Sequence, residues 1–153
     1  MKIGIASDHG GYALKEQLKT VLRDLGNTVM DFGTDSEESV DYPVIIESLA
    51  RAVSDGSVER GIGICGTGIG ASIVANKIPG IRCALCAEPF SAEFARRHNN
   101  ANMLALGGRV LGVGLAEKIL RVWLDTPFDG GRHQRRIGQI RDLESNAYTD
   151  KIE

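Results

Sequence analysis

Residues 61–77 read GIGICGTGIGASIVANK. A short apolar run, Gly61–Cys65, ends on a thiol. Gly66–Gly70 is a glycine-rich turn, and Ala71–Lys77 has the character of a helix. A strand that runs through such a turn into a helix gathers three things at one point. They are a side chain able to act as base or nucleophile, backbone N–H groups that no side chain covers, and the positive end of the helix. Partial positive charge of this kind favours a thiolate, so Cys65 reads as reactive rather than structural. The turn Gly66-Thr67-Gly68-Ile69-Gly70 can hold a phosphate, or an oxyanion that develops during reaction. It is only loosely like a dinucleotide fingerprint. It follows the third apolar run, not the first, and no lysine stands at phosphate-loop spacing.

Three further groups offer chemistry. Asp8 and His9, in Ser7–Gly11 (SDHGG), can hold a sugar hydroxyl and an anion, or simply cap a turn. His98 and Asn99 end an expected helix. An imidazole there suits proton transfer to a ring oxygen, and equally suits a cation at a helix carboxyl end. Arg132 and Arg136 are four apart, flank His133 with Arg135, and share one helical face. Two guanidinium groups so placed make a phosphate clamp, the alternative being a solvated basic face. His9, His98 and His133 are scattered and show no metal-ligand spacing with the cysteines, so no metal site is expected. Cys83 and Cys86 form a C-x-x-C within IRCALCAEP. On a strand, side chains three apart point to opposite faces, which makes the pair structural.

Elements must position these residues. Lys2–Ala6, Thr28–Phe32, Gly61–Cys65, Ile81–Ala87 and Met103–Leu106 read as strands. Between them Ala13, Leu14, Leu18, Val21, Leu22 and Leu25 recur at helical spacing, closed by Gly26-Asn27. A second helix opens at Asp41-Tyr42-Pro43, with Val44, Ile45, Leu49, Ala52 and Val53 as its buried stripe. Pro89–Asn99 is a helix with Phe90, Phe94 and Ala95 inward and Arg96, Arg97 and His98 at its end. Leu111–Leu124 is amphipathic, and Arg132–Asn146 is a polar final helix. Strict alternation with short connections predicts an α/β fold: a Rossmann-like three-layer sandwich with a five-stranded parallel sheet and helices on both faces. Ser7–Gly11, Cys65–Gly70, Ala87–Pro89 and Gly107–Arg109 then share the rim where such sheets bind ligands.

The chain has 153 residues, 42% hydrophobic and 25% charged, which fits one domain over 1–153 with a sizeable core. A net charge of −2 gives no global case for nucleic acid or an anionic membrane. No apolar run approaches a membrane span, and MKIGIASDHGG lacks the pattern of a signal peptide, so a cytoplasmic protein is expected. Three cysteines, an odd number, argue against a disulfide framework.

Five segments together resemble the type B ribose-5-phosphate isomerase family, which includes the galactose-6-phosphate isomerase subunits. They are SDHGG (7–11), ESVDYP (38–43), ICGTGIGASIVANKIPGIR (64–82), RRHNNANMLALGGRV (96–110) and GGRHQRRI (130–137). The resemblance implies an aldose–ketose isomerase that acts on a sugar phosphate without metal or cofactor. It implies Cys65 as the base moving a proton between C2 and C1 through an enediolate, with the Gly66–Gly70 turn stabilising the enediolate oxygens. His98 would open the furanose ring, with Asp8 assisting. His9, Arg132 and Arg136 match phosphate positions, and Tyr42, Thr67, Asn99 and Arg109 match substrate-contacting or supporting ones. Relatives that lack the cysteine use a carboxylate downstream, whereas Ala71–Asn76 here contains none. The resemblance further implies a homodimer or tetramer with the site between subunits, His98, Asn99 and Arg109 reaching a neighbour's Cys65. Interconversion of ribose 5-phosphate and ribulose 5-phosphate is the first reading. An isomerase of a six-carbon sugar phosphate, such as allose or galactose 6-phosphate, and a non-catalytic sugar-phosphate or nucleotide-binding module are the alternatives.

Overall fold

The computed structural model describes residues 1–149, with side chains through Ser145. Five strands form one parallel sheet: β1 (Lys2–Ser7), β2 (Thr28–Asp31), β3 (Arg60–Cys65), β4 (Cys83–Leu85) and β5 (Met103–Gly107). Their order is β2-β1-β3-β5-β4. Six helices accompany them: α1 (Tyr12–Asp24), α2 (Tyr42–Ser54), α3 (Ile69–Ala75), α4 (Pro89–Asn99), α5 (Val113–Asp125) and α6 (Arg132–Thr149). After β1 the chain steps outward to β2 and then returns to the other side of β1 with β3. The switch point therefore lies between the carboxyl ends of β1 and β3, the place where open α/β sheets leave a crevice. Register brings Ser7 opposite Ile64 and Cys65 opposite Gly107, so three strands end at one rim.

Burial on both faces explains the near-continuous apolar strands. Ile3, Ile5, Ile62 and Leu104 pack with Leu18, Leu22 and Trp123 on one face. Ala6, Met103 and Ala105 pack with Ile46, Leu49 and Ala75 on the other, where Cys65 also lies. Among the described residues no helix is long and apolar enough to cross a membrane.

Several expectations change in detail. The stretch Ile81–Ala87 yields only the three-residue edge strand β4. Cys83 nonetheless packs into one core and Cys86 into the other, on opposite faces as the spacing requires. Burial, then the neighbouring Cys86, pushes the Cys83 thiol up to about 12. Burial, then Glu88, pushes Cys86 up to about 11. Helix α3 starts at Ile69, so Ile69 and Gly70 belong to its first turn and the linking turn is only Gly66–Gly68. Val44 and Phe90, expected inside, are 68% and 67% exposed. The stripe of α2 that is buried runs through Ile46, Leu49, Ala50 and Val53, one step round from Val44. In α4 the buried face is Ala92, Ala95 and Arg96. Arg96 lies over the Trp123 ring and donates to the Ala101 carbonyl at 2.6 Å.

Lys15 is a buried lysine on α1, 1% exposed. Its ammonium donates to Asp31 Oδ2 and to the Thr34 carbonyl, both at 2.6 Å. It thereby ties α1 to β2 and to the loop that leads to Tyr42. A buried cation is tolerated when paired and hydrogen-bonded in this way.

Candidate active site

The thiol of Cys65 sits at the end of β3, 5% exposed, and accepts a hydrogen bond from the Gly68 N–H at 3.1 Å. The donor is aimed because Gly68 holds φ at +79°, which turns the chain back over the sulfur before α3 begins. A cleft of about 410 Å³ opens above it, lined by Asp8, Tyr42, Cys65, Thr67, Ile69 and Gly70 among others. That volume suits a small metabolite. A larger cleft of about 570 Å³ lies between α6 and β4, but its lining includes none of the residues expected in the active site except Asn99.

Each neighbour of the thiol is held by the local fold. Asp8 follows β1 and is buried; its Oδ1 accepts from the Gly11 N–H at 3.1 Å, capping the short turn His9–Gly11. The expected capping role and a place in the cleft therefore coincide. His9 Nδ1 accepts the Val40 N–H at 3.3 Å. The Tyr42 ring covers Gly70: a methyl group on Gly70 would meet Tyr42 Cζ at 2.6 Å. Thr67 is exposed at the turn, and its Oγ1 accepts from the Ile69 N–H at 3.3 Å. Arg109 follows β5, and its backbone N–H donates to the Gly66 carbonyl at 3.0 Å. Its side chain lies over Gly66 of the same chain, a Cβ there standing 3.6 Å from Arg109 Cδ. The β5 loop thus folds back onto its own glycine turn and places Arg109 at the same rim as Cys65.

His98, Asn99, Arg132 and Arg136 stand elsewhere. In a parallel sheet every strand climbs to the same rim and every helix runs back down. The end of α4 accordingly lies at the amino edge. There Arg82, just before β4, donates through Nε to the Asn99 carbonyl at 2.9 Å. The start of α6 is anchored beside it, with the Asp129 N–H donating to the Arg97 carbonyl at 3.0 Å. The six residues of β3 separate the two edges, roughly 17 Å at strand rise. One chain therefore carries two candidate half-sites: thiol and turn at the carboxyl rim, imidazole and arginines at the opposite edge.

The second half-site contains something the spacing did not suggest. His98 and His133, scattered in sequence, stack with ring centroids 4.0 Å apart and planes 8° from parallel. His98, Asp129 and His133 bring potential ligand atoms within 4.8 Å of one another. The surroundings are positive, however. Arg97 Nε holds the Asp129 carboxylate at 3.2 Å. Desolvation first, then the charges of His98, Arg132 and Arg136, set the His133 imidazolium below the ordinary histidine value against the pull of Asp129. Such a field suits an anion better than a metal cation. The legible signal for this corner was Gly130-Gly131 ahead of the basic run.

Known proteins resemble this chain over nearly its whole length. A family model described as Ribose/Galactose Isomerase matches residues 3–140. The putative sugar phosphate isomerase YwlF of Bacillus subtilis is 52% identical over 94% of this chain and 97% of its own. Ribose-5-phosphate isomerase B of Escherichia coli is 47% identical over 94% of this chain and 96% of its own. The solved structure of Clostridium thermocellum ribose-5-phosphate isomerase B is 52% identical and superposes with a TM-score of 0.95, covering 96% of this chain and 99% of that one.

Proposed function

The chain belongs to the ribose/galactose isomerase family, and on that premise we propose that it interconverts ribose 5-phosphate and ribulose 5-phosphate. Cys65 takes the proton from C2 of the open aldose and returns it to C1. The electron pair passes through an enediolate, and the hydroxyl proton moves from the C2 oxygen to the C1 oxygen. Fixed N–H donors of Gly66–Gly70, the turn and the first residues of α3, face those oxygens, where charge develops. His98 protonates the ring oxygen to open the furanose, with Asp8 accepting from the anomeric hydroxyl. His9, Arg132 and Arg136 hold the phosphate, whose binding energy places the reacting carbons. Tyr42, Thr67, Asn99 and Arg109 complete the walls.

Because base and clamp lie on opposite edges of one sheet, a working site takes its second half from another copy. We read the enzyme as a homodimer of single-domain chains, placed in the cytoplasm. Exposed apolar side chains beside the cleft, Ile69 at 52%, Ile73 at 55% and Val110 at 59%, supply surface for that contact. The proposed chemistry needs no metal and no cofactor.

The observation that carries the reading is the Cys65 sulfur under the Gly68 N–H at the floor of the cleft. The test is isomerisation of ribose 5-phosphate and allose 6-phosphate, with and without EDTA, by wild type and Cys65→Ala. Turnover of ribose 5-phosphate that resists EDTA and falls by about 10²–10⁴ in the variant is expected, the range one acid–base group supplies. Preference for the six-carbon sugar would keep the mechanism and change the substrate. Absence of turnover on both, or full turnover by Cys65→Ala, would overturn it.

A further inference from the structure

The column of rings on α4 ends on a residue that the proposed chemistry leaves without a task. Phe90 packs on Phe94 at 4.4 Å, Phe94 meets His98 edge-on at 4.7 Å, and His98 stacks on His133 at 4.0 Å. His133 is 7% exposed. The two glycines before α6 put it there. Gly130 and Gly131 hold φ at +67° and +55°, a left-handed pair that few other residues adopt. The His133 N–H then closes on the Gly130 carbonyl at 3.0 Å, and the first turn of α6 faces α4. Among the described residues neither imidazole has a hydrogen-bond partner in its side chain. The plane of His98 is therefore set by packing, with Phe94 at one side and the His133 face at the other.

We propose that His133 is a positioning residue for ring opening: its flat ring, stacked on His98, fixes the plane in which His98 meets the ring oxygen. The inference rests on the reading of His98 as the ring-opening acid. Two stacked imidazolium rings at this distance repel, so a second proton opposes the stack. The groups that act on His133 are His98 from α4, Asp129 from the preceding loop, and Arg132 and Arg136 from α6. Two of them are permanently positive, and Asp129 is already engaged by Arg97 from α4. Burial first, then these neighbours, lower the His133 ring's affinity for a proton. The same flat ring stands beside the arginine clamp without competing for the phosphate.

The test compares two substrates that differ in one step. Ribose 5-phosphate closes into a furanose and must be opened. Erythrose 4-phosphate carries its phosphate on the C4 oxygen, so it cannot close the five-membered ring and arrives open. The readout is the ratio of kcat/KM for the first to that for the second, across pH, in the full-length enzyme. Terms common to both sugars, such as phosphate ionisation, cancel in the ratio. His133→Ala should lower the ratio about tenfold at neutral pH, below the loss of the acid itself. His133→Phe keeps a flat ring and should keep the neutral ratio near wild type. In wild type the ratio should fall on the acid side of the ordinary histidine range, as His133 takes a proton, and in His133→Phe that fall should vanish.

An unchanged ratio in His133→Ala, or equal losses on both sugars, would overturn the proposal. So would an acid-side fall that persists in His133→Phe, which decides the matter if His133→Ala does not fold. His98→Asn separates the two layers. If it leaves the ratio unchanged, His98 is not the ring-opening acid and the reading beneath the proposal fails. If it collapses the ratio while the His133 variants do not, the proposal fails alone.

Discussion

Replacing Gly68 with alanine tests whether backbone packing, rather than sequence composition, builds the thiol's turn. The residue holds φ at +79°, where a Cβ costs about 1–2 kcal/mol. The new Cβ would stand 2.6 Å from Leu85 Cδ1, 2.8 Å from the Leu106 carbonyl carbon and 3.0 Å from its oxygen. The leucine tip can swing aside, but the Leu106 backbone belongs to β5 and cannot. Overpacking of this kind costs about 1–3 kcal/mol more. The sum, about 2–5 kcal/mol, corresponds to a fall in Tm of about 5–15 °C for a chain of this size. Moving Gly68 also draws its N–H away from the Cys65 sulfur, so kcat should fall in the fraction that stays folded. Gly66→Ala is the paired control. Its Cβ would meet Arg109 Cδ at 3.6 Å and Nη1 at 3.7 Å, ordinary contacts, and no left-handed φ is involved. Thermal unfolding by circular dichroism of the two variants and wild type decides the question. Gly66→Ala should melt within about 2 °C of wild type, less than 1 kcal/mol. Equal melting of both variants would refute the steric argument.

Asp31→Asn should cost about 2–4 kcal/mol in urea unfolding at pH 7, because it takes the carboxylate from the buried Lys15 and from Lys19, both 2.6 Å away. Burial raises Asp31, but the two lysines and the Gly33 N–H outweigh it and leave the carboxyl below its usual value. That stability is complete above the unfolded carboxyl value of about 4 and drains as pH falls through the folded one, so the gap between variant and wild type should close at acid pH. A gap that is constant with pH would refute the ion-pair account. Arg132→Ala and Arg136→Ala should each raise KM for ribose 5-phosphate by about tenfold or more, the loss of one charge-assisted hydrogen bond. Initial rates check this, and unchanged KM in both variants would return them to a solvated face.

Periodicity located the five strands and six helices because burial on both sheet faces leaves uninterrupted apolar runs, and the helices between them are amphipathic. What failed shares one cause. A residue's burial depends on partners that local spacing does not name. Lys15 sits among polar positions of α1, and only Asp31 and Thr34, brought alongside by β2, make its burial tolerable. Val44 and Phe90 are apolar but fall off the stripes that face the sheet. Ile81–Ala87 is apolar enough for a strand, yet β4 is an edge strand and pairs only over Cys83–Leu85. At the site, Cys65 and its turn were legible because one continuous segment contains thiol, glycines and helix start. The stack of His98 on His133 was not, since it joins two helices through a turn whose left-handed glycines reveal the bend only in three dimensions.

The separation of the two half-sites follows from the sheet itself. A parallel strand order sends every strand end to one rim, and the shortest return path sends the end of each helix that links two strands to the other. The proposed base at the end of β3 and the proposed acid at the end of α4 cannot meet within one such chain without a long extra connection. The sequence contains none: the link from β4 to α4 and the link from α4 to β5 are each three residues. Meeting across a symmetric interface needs no additional connection, because each copy presents one rim and one edge and so contributes to two sites. The exposed isoleucines of α3 lie beside the thiol, so surface that favours association also covers the place where water must be kept from the enediolate. In the proposed homodimer, assembly and completion of the site would be one event.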